Sequence, residues 1–277
     1  MTRKRKSGFG LDDSYINSSM KDWDVPGLSI AVVKDGKTVL SRGYGVRSTD
    51  NRPVDQNTLF TIGSCTKAFT ATAIAILAME KKLSWDDPVC KFLPDFALLD
   101  PQVTAKLTLR DMASHQSGVE DGKVSGIPAS STDEAIQLLA SIKATQPFRG
   151  EFAYNNTMFA VLGRVVEKVS GMSWETFLTS RILSPLGMNN SFATSQAAAA
   201  ELNTALPFHA DNGFAEQMNV KNLDFLASSA GMQSNVADLT KWLNFQLGIK
   251  RGAKTALLSR TLLDEMHSEQ LALTPNP

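Results

Sequence analysis

Residues 60–79 read FTIGSCTKAFTATAIAILAM, a run that passes from an extended lead-in to a segment apolar on nearly every side. Ala, Ile, Leu and Met dominate the second part, and a helix of this composition has no polar face to turn toward water. The run therefore predicts a helix over residues 66–82, buried in the middle of a domain. Ser64 lies just before this helix, and Lys67 lies in its first turn.

Ser64 and Lys67 form a candidate pair of nucleophile and base. A serine hydroxyl attacks poorly at neutral pH unless a neighbouring base accepts its proton. Their spacing puts both side chains on one helical face. Burial at the start of an apolar helix is expected to lower the pKa of the lysine, and the helix dipole acts in the same direction. Because Ser-x-x-Lys also occurs by chance, an N-cap serine followed by a solvated lysine is the competing interpretation.

A second polar group, Tyr154-Asn155-Asn156, precedes a helix predicted over residues 157–170. The phenol of Tyr154 can relay a proton if a nearby cation such as Lys67 lowers its pKa. The amide of Asn156 can hold a substrate carbonyl or the lysine ammonium. A buried tyrosine next to a helix-capping asparagine is the alternative interpretation.

The rest of the chain predicts an α+β fold. A helix over residues 12–22 precedes two strands, Gly27–Lys34 and Lys37–Gly45, which Asp35-Gly36 joins as a hairpin turn. Helices follow without alternating parallel strands, so we expect an antiparallel sheet packed with a large helical region. The other predicted helices cover residues 109–114, 132–144, 157–170, 173–182 and 236–247, with one more after Leu257.

Composition argues against several classes of partner and site. Lys+Arg and Asp+Glu are equal at 28 each, which favours neither nucleic acid nor an anionic membrane as a partner. The longest apolar run, residues 71–79, is too short to span a bilayer. Two cysteines and three scattered histidines favour neither a disulfide framework nor a zinc site, so no metal or cofactor is expected. No secretory signal is visible, so the cytoplasm is the default expectation, with secretion or an organelle if the true N-terminus is missing.

Together the two motifs resemble those of the serine β-lactamase-like and penicillin-binding-protein-like family. The Tyr-x-Asn form is that of class C β-lactamases and of related esterases and D-peptidases. Further landmarks follow in family order over roughly residues 15–270. They are Val25-Pro26-Gly27, the Ser-His-x-Ser-Gly loop at 114–118, Leu183-Ser-Pro-Leu-Gly-Met188, Ala230-Gly-Met-Gln-Ser-Asn235 and Trp242.

The resemblance implies a role for each candidate residue. Ser64 corresponds to the acylated nucleophile and Lys67 to the general base or proton shuttle. Tyr154 corresponds to the second proton carrier, and Asn156 to the amide that orients the substrate. The backbone N–H of Ser64 corresponds to one oxyanion-hole donor. Which of Lys67 and Tyr154 takes the first proton stays open.

The implied function is that of a serine hydrolase acting through an acyl-serine intermediate. Its substrate would be a small-molecule or peptide-like ester, amide or β-lactam, and its oligomeric state is left open. One alternative is an acyltransferase, which differs only in the acceptor of the acyl group. The other is a non-catalytic scaffold or self-assembling protein that retains the fold.

One family element is not found. A strand with Lys-Thr-Gly or His-x-Gly should follow near the end, and the nearest match, Lys254-Thr255-Ala256, lacks the glycine. We therefore expect one β-lactamase-related domain over 1–277 that is incomplete at its C-terminus, without the last strands of the sheet and the second oxyanion donor. Within it, 1–11 would be a disordered tail, about 12–60 the first helix and hairpin, and about 61–270 the mainly helical region.

Two neighbours of the motifs are weaker candidates. Cys65 points about 100° around a helix from Ser64 and is expected to be a small buried residue. His115 could act as an acid or base, but the resemblance implies a structural role for its loop.

Overall fold

The computed structural model describes residues 12–120, 131–211, 214–218, 224–248 and 257–272. The disordered tail expected over residues 1–11 and the near-match at 254–256 lie outside the described residues.

The N-terminal part is a helix followed by a β-hairpin, as predicted. Helix α1 (Asp13–Asp22) leads into strands β1 (Gly27–Lys34) and β2 (Lys37–Gly45), which pair antiparallel. Asp35 and Gly36 have φ of +49° and +71°. Two positive φ angles in a row match the right-handed twist of the strands, which is why Asp-Gly is a strong hairpin signal.

Strand β3 (Phe60–Thr61) leads through the 3₁₀ turn Gly63–Cys65 into helix α2 (Thr66–Met79), which is buried as predicted. The helix ends three residues before the predicted position 82 because Lys81 has φ +60°, outside the right-handed helical region. The ring of Phe69 stacks on Trp242, with 3.7 Å between ring centroids.

The other predicted helices are present in the predicted order, most of them with shorter bounds. The helices after α2 are α3 (Pro101–Lys106), α4 (Leu109–Ala113), α5 (Thr132–Leu138), α6 (Asn156–Ser170), α7 (Trp174–Leu178), α8 (Ser184–Leu186), α9 (Val236–Gln246) and α10 (Arg260–Met266). Two short helices among them, α3 and α8, were not predicted. The helix predicted over 132–144 ends early, because the chain passes into the 3₁₀ turn Leu139–Ser141 and Ile142 is extended. Gly171 ends α6 with φ +72°, a left-handed cap that glycine adopts without strain.

Within the described residues, two further strand pairs occur that the sequence did not predict. Strand β3 pairs with β6 (Gln233–Ser234), and β4 (Phe208–Asp211) pairs with β5 (Phe214–Gln217). A two-residue strand is too short to show alternation, so periodicity cannot reveal it. The β3–β6 pair ties the approach to Ser64 to the chain just before α9.

A shared hydrophobic core joins the central helices. Its fully buried side chains include Phe69, Ile74, Leu77, Met158, Leu162, Phe177 and Leu178. The predicted α+β class, with small antiparallel sheets against a large helical region, is confirmed. Among the described residues, no helix is long and apolar enough to cross a membrane.

Candidate active site

Ser64 lies in the middle of the 3₁₀ turn that opens α2, and its side chain is exposed. Lys67 follows in the first helical turn but is only 8% exposed. The Nζ of Lys67 donates a hydrogen bond to Ser64 Oγ at 3.2 Å. The two residues therefore point toward one another, as their spacing predicted, with the hydroxyl on the solvent side and the amine on the buried side.

The ammonium group of Lys67 is held by two further acceptors. It donates to Asn156 Oδ1 at 2.5 Å and to the backbone carbonyl of Ser229 at 3.1 Å. It also lies 4.8 Å from the centroid of the Tyr154 ring. With Ser64 Oγ as the third acceptor, each of its three N–H groups has a partner, which fixes this buried side chain in place.

The phenol of Tyr154 completes the group. Its oxygen lies 2.6 Å from Ser64 Oγ, and the two hydroxyls share a hydrogen bond. The phenol is also within 3.1 Å of Asn156 Oδ1, to which it can donate. Tyr154 is 36% exposed, so its hydroxyl meets Ser64 where both can reach a ligand from solvent.

Helix α6 carries the residues that follow Tyr154. The side chain of Asn155 caps the helix by accepting from the backbone N–H of Met158 at 2.9 Å. Asn156 is the first helical residue, and its Oδ1 accepts from Lys67. The contact with the lysine ammonium, one of the two that the sequence left open for the Asn156 amide, is therefore made.

The wide helical turn Ala227–Gly231 is the third segment of the site. Thr70 Oγ1 donates to the Ser228 carbonyl at 2.6 Å, and Ser228 Oγ donates to the Phe159 carbonyl at 2.9 Å. A Cβ at Gly163 would lie 2.6 Å from Ser228 Oγ, so the glycine lets this turn approach α6. The turn is thereby locked between α2 and α6, with the Ser229 carbonyl facing Lys67. A backbone acceptor leaves no side-chain signature, and sequence reasoning missed it.

One expectation about the neighbourhood was wrong. Cys65 is exposed, not buried. It belongs to the 3₁₀ turn that precedes α2, and burial begins only at Thr66, so the angular offset of a regular helix does not apply to it.

His115 lies beside the site in a loop for which the resemblance implied a structural role. It is 7% exposed, and its ring lies 4.6 Å from the Tyr154 ring, centroid to centroid. Its position in a Ser-His-x-Ser-Gly loop close to a helix end was visible in the sequence, but its contact with Tyr154 depends on the tertiary fold.

The approach to Tyr154 is anchored by an ion pair. Arg149 donates to both carboxylate oxygens of Asp111, at 2.9 and 2.8 Å. The hydrogen bonds that Arg149 donates to the Asp111 carboxylate raise the pKa of Arg149 above its ordinary value. Within the described residues there is no group of three or more His, Cys, Asp and Glu side chains arranged to hold a metal ion.

Known proteins share this arrangement of elements. A family model described as Beta-lactamase matches residues 13–276. Unguisins hydrolase ungD' from Aspergillus campestris (strain IBT 28561) is 29% identical over 259 residues, which cover 87% of this chain and 48% of that protein. The chain thus spans about half the length of the curated relatives it matches.

Two solved structures resemble the fold closely. The octameric penicillin-binding protein homologue from Pyrococcus abyssi has a TM-score of 0.80 at 29% identity, over 92% of this chain and 59% of that one. A class C beta lactamase from Rhodobacter sphaeroides has a TM-score of 0.72 at 25% identity, over 93% of this chain and 69% of that one.

Proposed function

The chain belongs to the Beta-lactamase family, and from this membership we propose that it is a serine hydrolase whose nucleophile is Ser64. One observation carries the proposal: Ser64 Oγ lies within hydrogen-bond distance of both Lys67 Nζ, at 3.2 Å, and Tyr154 OH, at 2.6 Å. A serine exposed at the start of a buried helix, in contact with an amine and a phenol, has the neighbours that a proton relay needs once the amine is neutral or the phenol is ionised. The proposed substrate is a small-molecule or peptide-like ester, amide or β-lactam.

In the proposed acylation step, Ser64 Oγ attacks the carbonyl carbon of the substrate. The hydroxyl proton passes either to Lys67 in its neutral amine form or to Tyr154 in its phenolate form, since both groups touch the oxygen. The carbonyl oxygen of the tetrahedral intermediate becomes negative, and we assign its stabilisation to the backbone N–H of Ser64 and the positive end of the α2 dipole. The bond to the alcohol or amine then breaks, and Tyr154 protonates the departing group, which leaves an ester on Ser64.

The proposed deacylation step uses the same groups in reverse. A water takes the place of the leaving group and gives a proton to Tyr154 as its oxygen attacks the acyl carbon. The ester bond to Ser64 breaks, the serine oxygen regains a proton from whichever of Lys67 and Tyr154 accepted it during acylation, and the carboxylic acid departs. Asn156 and the Ser229 carbonyl keep Lys67 in place throughout, so protons can move among the groups without side-chain rearrangement.

The similarity to a protein named as a hydrolase supports turnover over a purely structural role. A non-catalytic scaffold and an acyltransferase, the two other functions that the sequence left open, predict different outcomes of one set of measurements. A scaffold would fold but would not become acylated. An acyltransferase would pass the acyl group to an added alcohol in preference to water.

The test is covalent labelling of the 277-residue chain, followed by peptide mass mapping. A fluorophosphonate is expected to form an adduct at Ser64 that is absent in Ser64→Ala and present in Ser268→Ala, a matched exposed serine. Hydrolysis of a p-nitrophenyl ester and labelling by a penicillin then separate the substrate classes, and methyl ester formation in added methanol reports acyl transfer. A folded wild-type chain that shows no adduct at Ser64 would overturn the proposal.

A further inference from the structure

His115 accepts hydrogen bonds from the backbone N–H groups of the residues before and after Tyr154. The backbone N–H of Ala153 donates to the His115 carbonyl at 2.8 Å. The backbone N–H of Asn155 donates to the ring nitrogen Nδ1 of His115 at 3.1 Å, and this bond is buried. Tyr154 therefore lies between two backbone hydrogen bonds, both of which are accepted by His115.

The ring of His115 also limits where the phenol can turn. It lies against the Tyr154 ring at 4.6 Å between centroids, tilted by 34°. Phe159 and Phe152 contact the same imidazole, at 5.3 and 5.2 Å between centroids. The imidazole thus supports the phenol ring from one side while its Nδ1 holds the following peptide.

The backbone of His115 adopts an uncommon conformation in order to make these contacts. Its φ is +58°, in the left-handed region, where most residues other than glycine are rare. The next residue fixes this geometry, because the N–H of Gln116 donates to the Asp111 carbonyl and the Gln116 carbonyl accepts from the N–H of Arg149. The loop is therefore held from both sides with its imidazole turned toward Tyr154.

We infer that His115 is a positioning residue that sets the place of the Tyr154 hydroxyl by bonding the backbone N–H groups of both neighbours of Tyr154 and by packing against its ring. Because Nδ1 accepts a hydrogen bond from Asn155, the neutral ring carries its proton on Nε2, and Nδ1 acts toward Asn155 only as an acceptor. The inference rests on the proposed role of Tyr154 as the proton carrier. It assigns His115 no contact with the reacting atoms.

Two substitutions separate the effect of the hydrogen-bond acceptor on His115 from the effect of its side-chain volume. His115→Asn keeps an acceptor one bond beyond the γ-carbon and tolerates positive φ, whereas His115→Leu has a similar size and no acceptor. A second acceptor-free variant, His115→Gly, adopts positive φ without strain and serves if the leucine variant does not fold. His267→Leu, at an exposed histidine, is the matched control.

The decisive readout is the dependence on the leaving group. An alkyl ester needs a proton from Tyr154 as its alkoxide departs, whereas a p-nitrophenyl ester does not. A displacement of the proton-donating hydroxyl by about 1 Å can lower the rate about 10²-fold. We expect His115→Leu to lower kcat/KM for the alkyl ester at least about tenfold more than for the nitrophenyl ester. We expect His115→Asn to restore the wild-type ratio to within about threefold, and the control to keep it. Equal losses on both esters, or no recovery with asparagine, would overturn the inference.

A measurement without turnover keeps this test separate from that of the proposed function. The chain has three tyrosines, so fluorotyrosine labelling gives three ¹⁹F resonances, of which Tyr154→Phe removes one. We expect His115→Leu to shift the Tyr154 resonance and to leave those of Tyr15 and Tyr44 in place. An unchanged Tyr154 resonance overturns the inference even in a chain that hydrolyses esters. Failure of Ser64 to become labelled overturns the proposed function, and the resonance still decides the role of His115.

Discussion

Ser64 Oγ and Tyr154 OH lie 2.6 Å apart, although 90 positions separate the two residues in the sequence. Local structure alone does not bring the two side chains together, since Ser64 lies in the turn before α2 and Tyr154 precedes α6. Packing of these two helices brings the hydroxyls together, and Lys67 lies on the buried side of the pair. A proton can therefore move between the two hydroxyl oxygens without any change in the fold.

Tyr154→Phe should impair turnover of esters and amides with poor leaving groups. The variant keeps the ring contacts with His115 but has no hydroxyl to carry a proton, so we expect kcat to fall about 10²–10⁴-fold. If water activation fails as well, the acyl form of Ser64 should accumulate. Intact-protein mass spectrometry after mixing with substrate would detect it. Wild-type kcat in this variant would exclude Tyr154 as a proton carrier, and Tyr15→Phe at an exposed tyrosine provides the control.

Lys67→Met should slow the acylation of Ser64. Methionine fills a similar volume but cannot donate to Asn156, Ser229 or Ser64, so we expect the rate of labelling to fall about 10²-fold or more. Lys67→Arg should not restore it, because a planar guanidinium does not fit the space of the ammonium. The rate of fluorophosphonate labelling measures the effect. Lys91→Met, at an exposed lysine, should label like the wild type, and equal rates in Lys67→Met would contradict the assignment.

Gly163→Ala should destabilise the protein. The new Cβ would lie 2.6 Å from Ser228 Oγ and 2.8 Å from Ser228 Cβ, closer than packed atoms allow. Such overpacking costs about 1–3 kcal/mol, offset by about 1 kcal/mol from the better helix propensity of alanine. We expect a net loss of up to about 2 kcal/mol in the free energy of unfolding, measured by urea denaturation. A more stable variant would show that the turn at 227–231 yields easily; Ser170→Ala in the same helix is the control.

Glu80 should make the stability of the wild type depend on pH. Its hydrogen bond from Arg181 lowers the pKa of the carboxyl below the ordinary value of 4.5, against the opposing effect of burial. A lowered folded-state pKa gives stability that is present above the unfolded-state pKa and is lost as pH falls through the folded-state pKa. The Glu80→Gln variant has no titrating carboxyl at this position. The amount by which its free energy of unfolding falls below that of the wild type should therefore be largest near pH 6 and shrink toward about pH 3.

The measurement for Glu80 is urea unfolding of both proteins across this range. Glu151→Gln, at an exposed carboxylate outside such an ion pair in the described residues, is the control. A deficit that stays constant with pH would mean that the ion pairs of Glu80 with Arg181 and Lys82 do not contribute.

Local patterns predicted the parts of the fold that depend on neighbours in the sequence. The hairpin was predicted with its observed bounds because Asp35-Gly36 specifies its own turn and the flanking residues favour strands. Helix α2 was predicted because a helix that is apolar on nearly every side has no face to turn toward water and must be buried. Ser64 and Lys67 were found because their spacing of three residues is itself a helical contact.

Contacts between distant segments could not be predicted in the same way. The pairing of Phe60 with Ser234 and the bond from Lys67 to the Ser229 carbonyl join parts of the chain more than 160 positions apart. The second uses a backbone atom that every residue possesses, so nothing in the side chains marks it. The contacts of His115 could not be predicted for a related reason, since its left-handed backbone and its bonds from Ala153 and Asn155 exist only in the folded chain.

The Ser229 carbonyl that accepts from Lys67 gives the site a property of a different kind. The ammonium is anchored 162 positions downstream, on a turn wedged between two helices, so no fragment that lacks this turn can hold the amine in the same place. We therefore expect the reactivity of Ser64 toward a labelling probe to depend on the native packing of the whole chain. Loss of probe labelling on heating should track the cooperative melting of the protein, which makes the labelling reaction a folding sensor for this chain.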